Sequence, residues 1–179
     1  MDILERAEKL TACLFQKIQK IQKYEDEYED TNVYEIILFD SVARQEKYPI
    51  DIDLIIIDGG YFSSHCPFIA YGYGDIAHNF EWLINDLHIS YAAEKIIGNI
   101  KVHIQFLRLD FLIDKKYRKT VKKRQRDNRF FDNVFSKFLT WSDEAKKFVP
   151  STLHKIEEKY DCDLSDLTSP QEKIPIHIY

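Results

Sequence analysis

Two acidic residues, Asp51 and Asp53, lie two positions apart at the start of an apolar run that ends at residue 57. In a β-strand, residues i and i+2 project to the same face, so the two carboxylates would lie side by side while Ile52 and Leu54 turn toward the core. Adjacent carboxylates repel each other, and a divalent cation offsets that repulsion. Because Mg²⁺ binds one or two carboxylates together with substrate phosphates, the spacing predicts a metal site for a phosphorylated substrate.

A second motif precedes this pair and follows the apolar segment 33–39. It reads Asp40-Ser41-Val42-Ala43-Arg44. Where a strand runs into a turn and a helix start, backbone N–H groups are left unpaired and can bind anions. The hydroxyl of Ser41 could reach a phosphate in such a turn. The plainer alternative is that Ser41 is a helix N-cap.

Together the two motifs resemble the signature of the nucleotidyltransferase fold, the DNA polymerase β superfamily, and most of all its minimal nucleotidyltransferases. In that family an apolar strand is followed by Gly-Ser-x-Ala-Arg, a turn, and Asp-x-Asp at the start of a second apolar strand. Residues 34–58 match this order and spacing. The resemblance implies an α+β fold with a small mixed β-sheet, helices packed on one face, and additional C-terminal helices. It also implies transfer of a nucleoside monophosphate from an NTP to a hydroxyl group, with Mg²⁺ or Mn²⁺ as cofactor.

The resemblance also implies roles for individual side chains. Asp51 and Asp53 would bind the metal ions and act in catalysis. Asp40, Ser41 and Arg44 would contact the nucleotide. Arg44 has two further interpretations: it pairs with a carboxylate of the Asp-x-Asp strand, or it forms a surface ion pair of little energetic value.

The sequence departs from the family pattern at two positions. Asp40 stands where the family has Gly, and two like charges about 4 Å apart near a surface repel by roughly 4 kcal/mol. The family's third carboxylate comes from a neighbouring strand, whereas the alternating strand predicted at 101–107 has Lys101, His103 and Gln105 on its polar face. We expect His103 to act there as a base or a nitrogen ligand, with Gln105 beside the metal. Imidazole suits Mn²⁺ or Zn²⁺ better than Mg²⁺. One alternative is a solvent-facing histidine, and another is that Asp110, just past this strand, supplies the missing carboxylate.

Hydrophobic periodicity predicts the elements that position these residues. Helices are predicted at 2–24, about 75–97, 114–148 in one or two pieces, and about 153–160; strands are predicted at 33–39, 50–57 and 100–109. Residues 61–75 are expected to form a loop or lid with a short strand as the alternative, and 174–179 could dock as an edge strand. This pattern divides the chain into a nucleotidyltransferase-like domain at 1–112, a helical extension packed on it at 113–149, and a short helix and tail at 150–179.

Composition limits the remaining interpretations. A chain of 179 residues can bury a substantial core, and its net charge of −5 does not by itself indicate a nucleic-acid partner. Residues 115–129, however, contain nine Lys or Arg and one acid, a density that favours polyanion binding although most such runs are solvated helix surfaces. The three dispersed cysteines, the charged N-terminus and the lack of a long apolar run predict a cytoplasmic protein with no membrane partner.

Three functions are compatible with these patterns. The first is an active metal-dependent nucleotidyltransferase that uses ATP or another NTP and a small molecule, an RNA or a protein as acceptor. The second is a catalytically degenerate protein of the same fold that binds or regulates. The third is a protein that binds a polyanion or nucleic acid through residues 115–129. The resemblance also allows a helical partner protein or a homo-oligomer.

Overall fold

The computed structural model describes residues 2–24, 30–49, 51–65, 68–72, 75–76, 100–125, 127 and 129–168. Its helices are α1 (Ile3–Tyr24), α2 (Asp40–Ala43), α3 (Tyr61–His65), α4 (Asp110–Ile113), α5 (Lys115–Arg124), α6 (Phe130–Ser136) and α7 (Leu153–Tyr160). Its strands are β1 (Val33–Phe39), β2 (Asp51–Asp58), β3 (Phe68–Gly72), β4 (Asp75–Ile76), β5 (Lys101–Arg108), β6 (Phe138–Ser142) and β7 (Lys147–Ser151).

The described strands form one seven-stranded sheet in the order β4-β3-β5-β2-β1-β6-β7. Strands β2 and β5 are parallel, whereas the other neighbouring pairs are antiparallel. The predicted α+β class with a mixed sheet is therefore confirmed. Strand β2 lies at the centre and is buried from residue 52 to residue 58, as its nearly continuous apolar sequence requires of a strand covered on both faces.

Helices cover both faces of this sheet. On one face α1 packs its apolar stripe against side chains that include Leu54 and Ile104. On the other face the additional C-terminal helices pack against Ile55 and Ile57. Helices were expected on one face of the sheet only, and the structure adds a second layer on the other face. Both layers can form because β2 presents apolar side chains to both faces.

The prediction of helix over residues 114–148 is wrong for the last part of that range. Helices α5 and α6 occupy the first part, but the following segment forms the β6–β7 hairpin, and β6 pairs with β1. The helical interpretation of 113–149 thus fails over the hairpin. Aromatic and β-branched residues favour a pleated, half-buried surface, and the free side of β1 supplies the hydrogen-bonding partner that a local sequence pattern does not reveal.

The remaining element predictions have mixed outcomes. Helices α1 and α7 and strands β1, β2 and β5 form where they were expected, within a few residues. The segment expected to be a loop or lid contains α3 and β3, and β4 occupies the first two residues of the helix predicted at 75–97. The rest of that helix and the proposed edge strand at 174–179 lie outside the described residues. Among the described helices, none is both long and apolar enough to cross a membrane.

Candidate metal and nucleotide site

The parallel pairing of β2 and β5 brings three of the predicted site residues together. Asp53 and His103 are register partners. They lie two positions further along the strands than the pair formed by Asp51 and Lys101. The Nδ1 atom of His103 lies 3.0 Å from Oδ1 of Asp53 and 3.7 Å from Oδ2 of Asp51. One ligand atom from each of Asp51, Asp53 and His103 can be chosen so that all three lie within 4.8 Å of one another.

The burial of Asp53 indicates that this group suits a cation. Asp53 is only 7% exposed, and its Oδ2 atom is buried without a hydrogen-bond partner among the described residues. An unsatisfied buried acceptor costs about 1–3 kcal/mol, and more when it is charged. In an octahedral site with bonds of about 2.1 Å, adjacent ligand atoms lie about 3.0 Å apart, so the spacing and the donor types fit a divalent metal.

The charges of the group shift two pKa values upward. Burial, together with the nearby charge of Asp53, raises the pKa of Asp51 above its ordinary value. The hydrogen bond to Asp53 is the main cause of the raised pKa of His103, which burial opposes. When His103 is protonated, its charge partly neutralises the two carboxylates, and a cation bound at Nδ1 would have to replace the proton there.

The turn after β1 keeps a backbone conformation that favours glycine although the residue there is Asp40. Its φ angle is 62°, in the left-handed region, where Asp is tolerated better than most other side chains. The N-cap of the four-residue α2 is Phe39, so Ser41 lies inside the helix and its interpretation as an N-cap is wrong. Ser41 is 6% exposed, and its Oγ atom has no hydrogen-bond partner among the described residues.

Arg44 forms ion pairs within this turn. Its Nη2 atom lies 2.5 Å from Oδ1 of Asp40 and 2.7 Å from Oε1 of Glu46, and all three side chains are substantially exposed. The structure therefore favours the surface ion pair over pairing with the Asp-x-Asp strand. One consequence is that Arg44 offsets part of the negative charge of Asp40.

A cavity of about 470 Å³ adjoins the carboxylates. Its lining consists of Phe39, Asp40, Asp53, Leu54, His103, Gln105, Gln125 and Phe130. Phe39 and Phe130 make an edge-to-face contact with ring centres 5.8 Å apart, which gives the cavity an apolar aromatic wall. Its volume and its few polar groups are typical of small-molecule sites.

Sequence reasoning predicted Asp40, Asp53, His103 and Gln105 of this lining but missed the contributions of Gln125 and Phe130. Gln125 directly follows α5, and Phe130 begins α6. An aromatic run such as the one that begins at residue 130 is typical of core packing, and no local pattern distinguishes its first, half-buried member from the buried ones. Only the packing of α6 on the second face of the sheet brings Phe130 to the cavity.

Comparisons with protein-family models, with curated proteins and with solved structures found no match to this chain.

Proposed function

We propose that the protein is a metal-dependent nucleotidyltransferase that moves a nucleoside monophosphate from an NTP to a hydroxyl of an acceptor. The observation that carries this proposal is the group of Asp51, Asp53 and His103, in which the buried Oδ2 atom of Asp53 has no described partner. The neighbouring cavity, whose lining includes the aromatic pair Phe39 and Phe130, has room for a nucleotide.

Each residue has a role in this proposal. Asp51 and Asp53 hold Mg²⁺ or Mn²⁺, with His103 as a nitrogen ligand and Gln105 beside them. When bound, the cation would neutralise the phosphate oxygens and lower the pKa of the attacking hydroxyl. Asp40 lines the cavity, and the turn that Asp40 and Ser41 form would contact the phosphates of the nucleotide.

The acceptor hydroxyl would lose its proton to solvent as its oxygen bonds to the α-phosphorus and the bond to the leaving pyrophosphate breaks. In the alternative arrangement, His103 is not a ligand but takes the proton of the acceptor hydroxyl. Substitution of His103 distinguishes the two roles, because loss of a ligand weakens metal binding whereas loss of a base slows the reaction at saturating metal.

A catalytically degenerate binding protein is the second candidate. The observation that favours it is the carboxylate of Asp40 in the cavity lining, where a triphosphate would lie. The ion pair with Arg44 and a bound cation would both reduce this repulsion, which is why we favour an active enzyme.

We further propose a cytoplasmic location for this activity. Cys13 and Cys162 are free thiols, as is usual for proteins in reducing compartments. A helical partner protein or a second copy of the chain remains compatible with this proposal.

The first test is a thermal-shift titration with ATP, GTP, CTP and UTP, each with Mg²⁺, with Mn²⁺ and without metal. We expect one nucleotide to raise the melting temperature only when metal is present. The double variant Asp51→Asn/Asp53→Asn should abolish this rise. The control Asp143→Asn/Asp161→Asn, at a partly exposed position in the β6–β7 turn and an exposed position after α7, should retain it. A melting temperature unaffected by every combination would contradict nucleotide binding.

A further inference from the structure

Six of the seven basic residues of α5 divide into two groups, and the first group is structural. Arg118 is 1% exposed and donates hydrogen bonds to Asp166 and to the backbone carbonyls of Phe111, Leu112 and Asp163. Lys122 donates to the backbone carbonyl of Asp166. These two cations fasten the segment after α7 to α5 and are therefore not available to a ligand.

The second group faces solvent. Lys116, Lys119 and Lys123 are spaced three and four positions apart, which places them on the side of α5 opposite Arg118. Arg124 lies at the end of the same exposed side, and all four side chains are exposed. None of the four forms an ion pair with another described residue. We call Lys116, Lys119, Lys123 and Arg124 the basic face.

The basic face ends at the cavity. Gln125, the residue after Arg124, lines the cavity together with Phe130, and Asp53 and His103 belong to the same lining. At a rise of 1.5 Å per residue, Lys116 and Lys123 are about 10 Å apart along the helix axis. Phosphates follow one another regularly along a nucleic-acid strand, so a strand lying along α5 would bring more than one of them within reach of these side chains.

We propose that the basic face binds a single strand of nucleic acid and directs its terminal hydroxyl into the cavity. The reaction of that hydroxyl in the cavity rests on the proposed function, whereas the binding of the strand does not. A row of cations matches a row of evenly spaced phosphates, and the acidic end of the cavity cannot attract phosphates without a cation. The aromatic wall of Phe39 and Phe130 offers a surface on which an unpaired terminal base can stack, which a paired end cannot use.

Fluorescence anisotropy with single-stranded RNA and DNA labelled at the 5′ end tests the binding, without NTP or metal. We expect Kd to rise steeply with salt, with a slope of roughly −0.7 in log affinity per phosphate contacted. Lys119→Glu/Lys123→Glu should weaken binding by about tenfold or more and flatten this salt dependence. The matched control is Lys9→Glu/Lys147→Glu, on α1 and β7, which changes the net charge equally and should leave Kd nearly unchanged.

Several outcomes would overturn the proposal. Equal losses in the two double variants would mean that net charge, not the basic face, governs binding. Equal affinity for heparin would mean a general polyanion surface, and equal affinity for an acidic protein would mean that the partner is a protein. Binding that does not depend on salt would exclude phosphate contacts.

A photoreactive base at the 3′ end tests the direction of the strand. We expect it to crosslink to peptides that contain Gln125 or Phe130, and crosslinking only at the start of α5 would overturn the entry of that end. The variant Asp51→Asn/Asp53→Asn should still bind the strand. If the strand binds but no NTP does, the proposed transferase function fails while the nucleic-acid surface stands.

Discussion

The Nδ1 atom of His103 lies 3.0 Å from Oδ1 of Asp53, and this contact joins residues 50 positions apart. The two residues are register partners on the parallel strands β2 and β5. An imidazole on the neighbouring strand therefore lies beside the carboxylates of Asp51 and Asp53. Nδ1 can hold either a proton or a metal cation, but not both. His103 is therefore the most informative residue to change.

The metal-free protein should reveal this coupling in the titration of His103. We expect Asp53→Asn to lower the pKa of His103, because the hydrogen bond to Asp53 is the main cause of its raised value. Asp51→Asn should lower it less, since Asp51 lies farther from Nδ1. NMR titration of the imidazole signals measures both shifts, and an unchanged pKa in Asp53→Asn would contradict the contact.

The same contact predicts how stability depends on pH. A histidine whose pKa is raised in the folded state stabilises the fold fully below its unfolded-state value of about 6.5 and loses that contribution as pH rises through the folded value. Asp53→Asn should therefore be most destabilising below about pH 6.5 and least destabilising above the folded pKa of His103. Urea denaturation across this range, without metal, measures the difference, and a deficit that grows with pH would contradict it.

His103 should also determine which metal the site prefers. With two carboxylates and one imidazole, we expect tighter binding of Mn²⁺ than of Mg²⁺. His103→Asp should reduce this preference because it supplies a third oxygen donor, and His103→Asn should weaken Mn²⁺ binding roughly tenfold, or about 1.4 kcal/mol. Isothermal titration calorimetry with each metal alone measures these affinities. If the wild type and His103→Asp prefer Mn²⁺ over Mg²⁺ to the same degree, the imidazole is not a ligand.

Substitutions at Asp40 should separate charge from backbone conformation. Asp40→Asn removes the negative charge and keeps a side chain that tolerates positive φ, whereas Asp40→Gly also removes the conformational strain. If charge is what limits nucleotide affinity, both variants should bind NTP with metal more tightly than the wild type and to a similar extent. Tighter binding by Asp40→Gly alone would instead show that the obstacle is the bulk of a side chain or the strained backbone at this position, not the charge.

Arg118 should be essential to the stability of the fold, whereas the adjacent Lys119 should not. Arg118→Met leaves Asp166 and three backbone carbonyls without their buried donor, and we expect a loss of about 3–5 kcal/mol in the free energy of unfolding. Lys119→Met, one position along on the exposed side of α5, should change stability by at most about 0.5 kcal/mol. Urea denaturation measures both, and similar small losses in both variants would contradict the role of Arg118.

The sequence by itself determined the elements whose pattern is local. Apolar residues that recur every 3.6 positions predicted α1. Apolar runs and the alternation of apolar with polar residues predicted β1, β2 and β5. Each pattern reflects burial of one element's own side chains. The spacing of Asp51 and Asp53 gave their common face for the same reason. The hairpin of β6 and β7 was missed, since its strand conformation depends on the free edge of β1, which lies about 100 residues earlier in the chain.

Only the tertiary structure decided which residues meet. The parallel register of β2 and β5 selects His103 as the partner of Asp53, and packing of the C-terminal helices brings Gln125 and Phe130 to the cavity. The same packing separates the inward Arg118 from the exposed Lys119 in a run that reads as uniformly basic. Such choices follow from how buried surfaces fit together across the whole chain, and a local pattern carries no information about partners that distant in sequence.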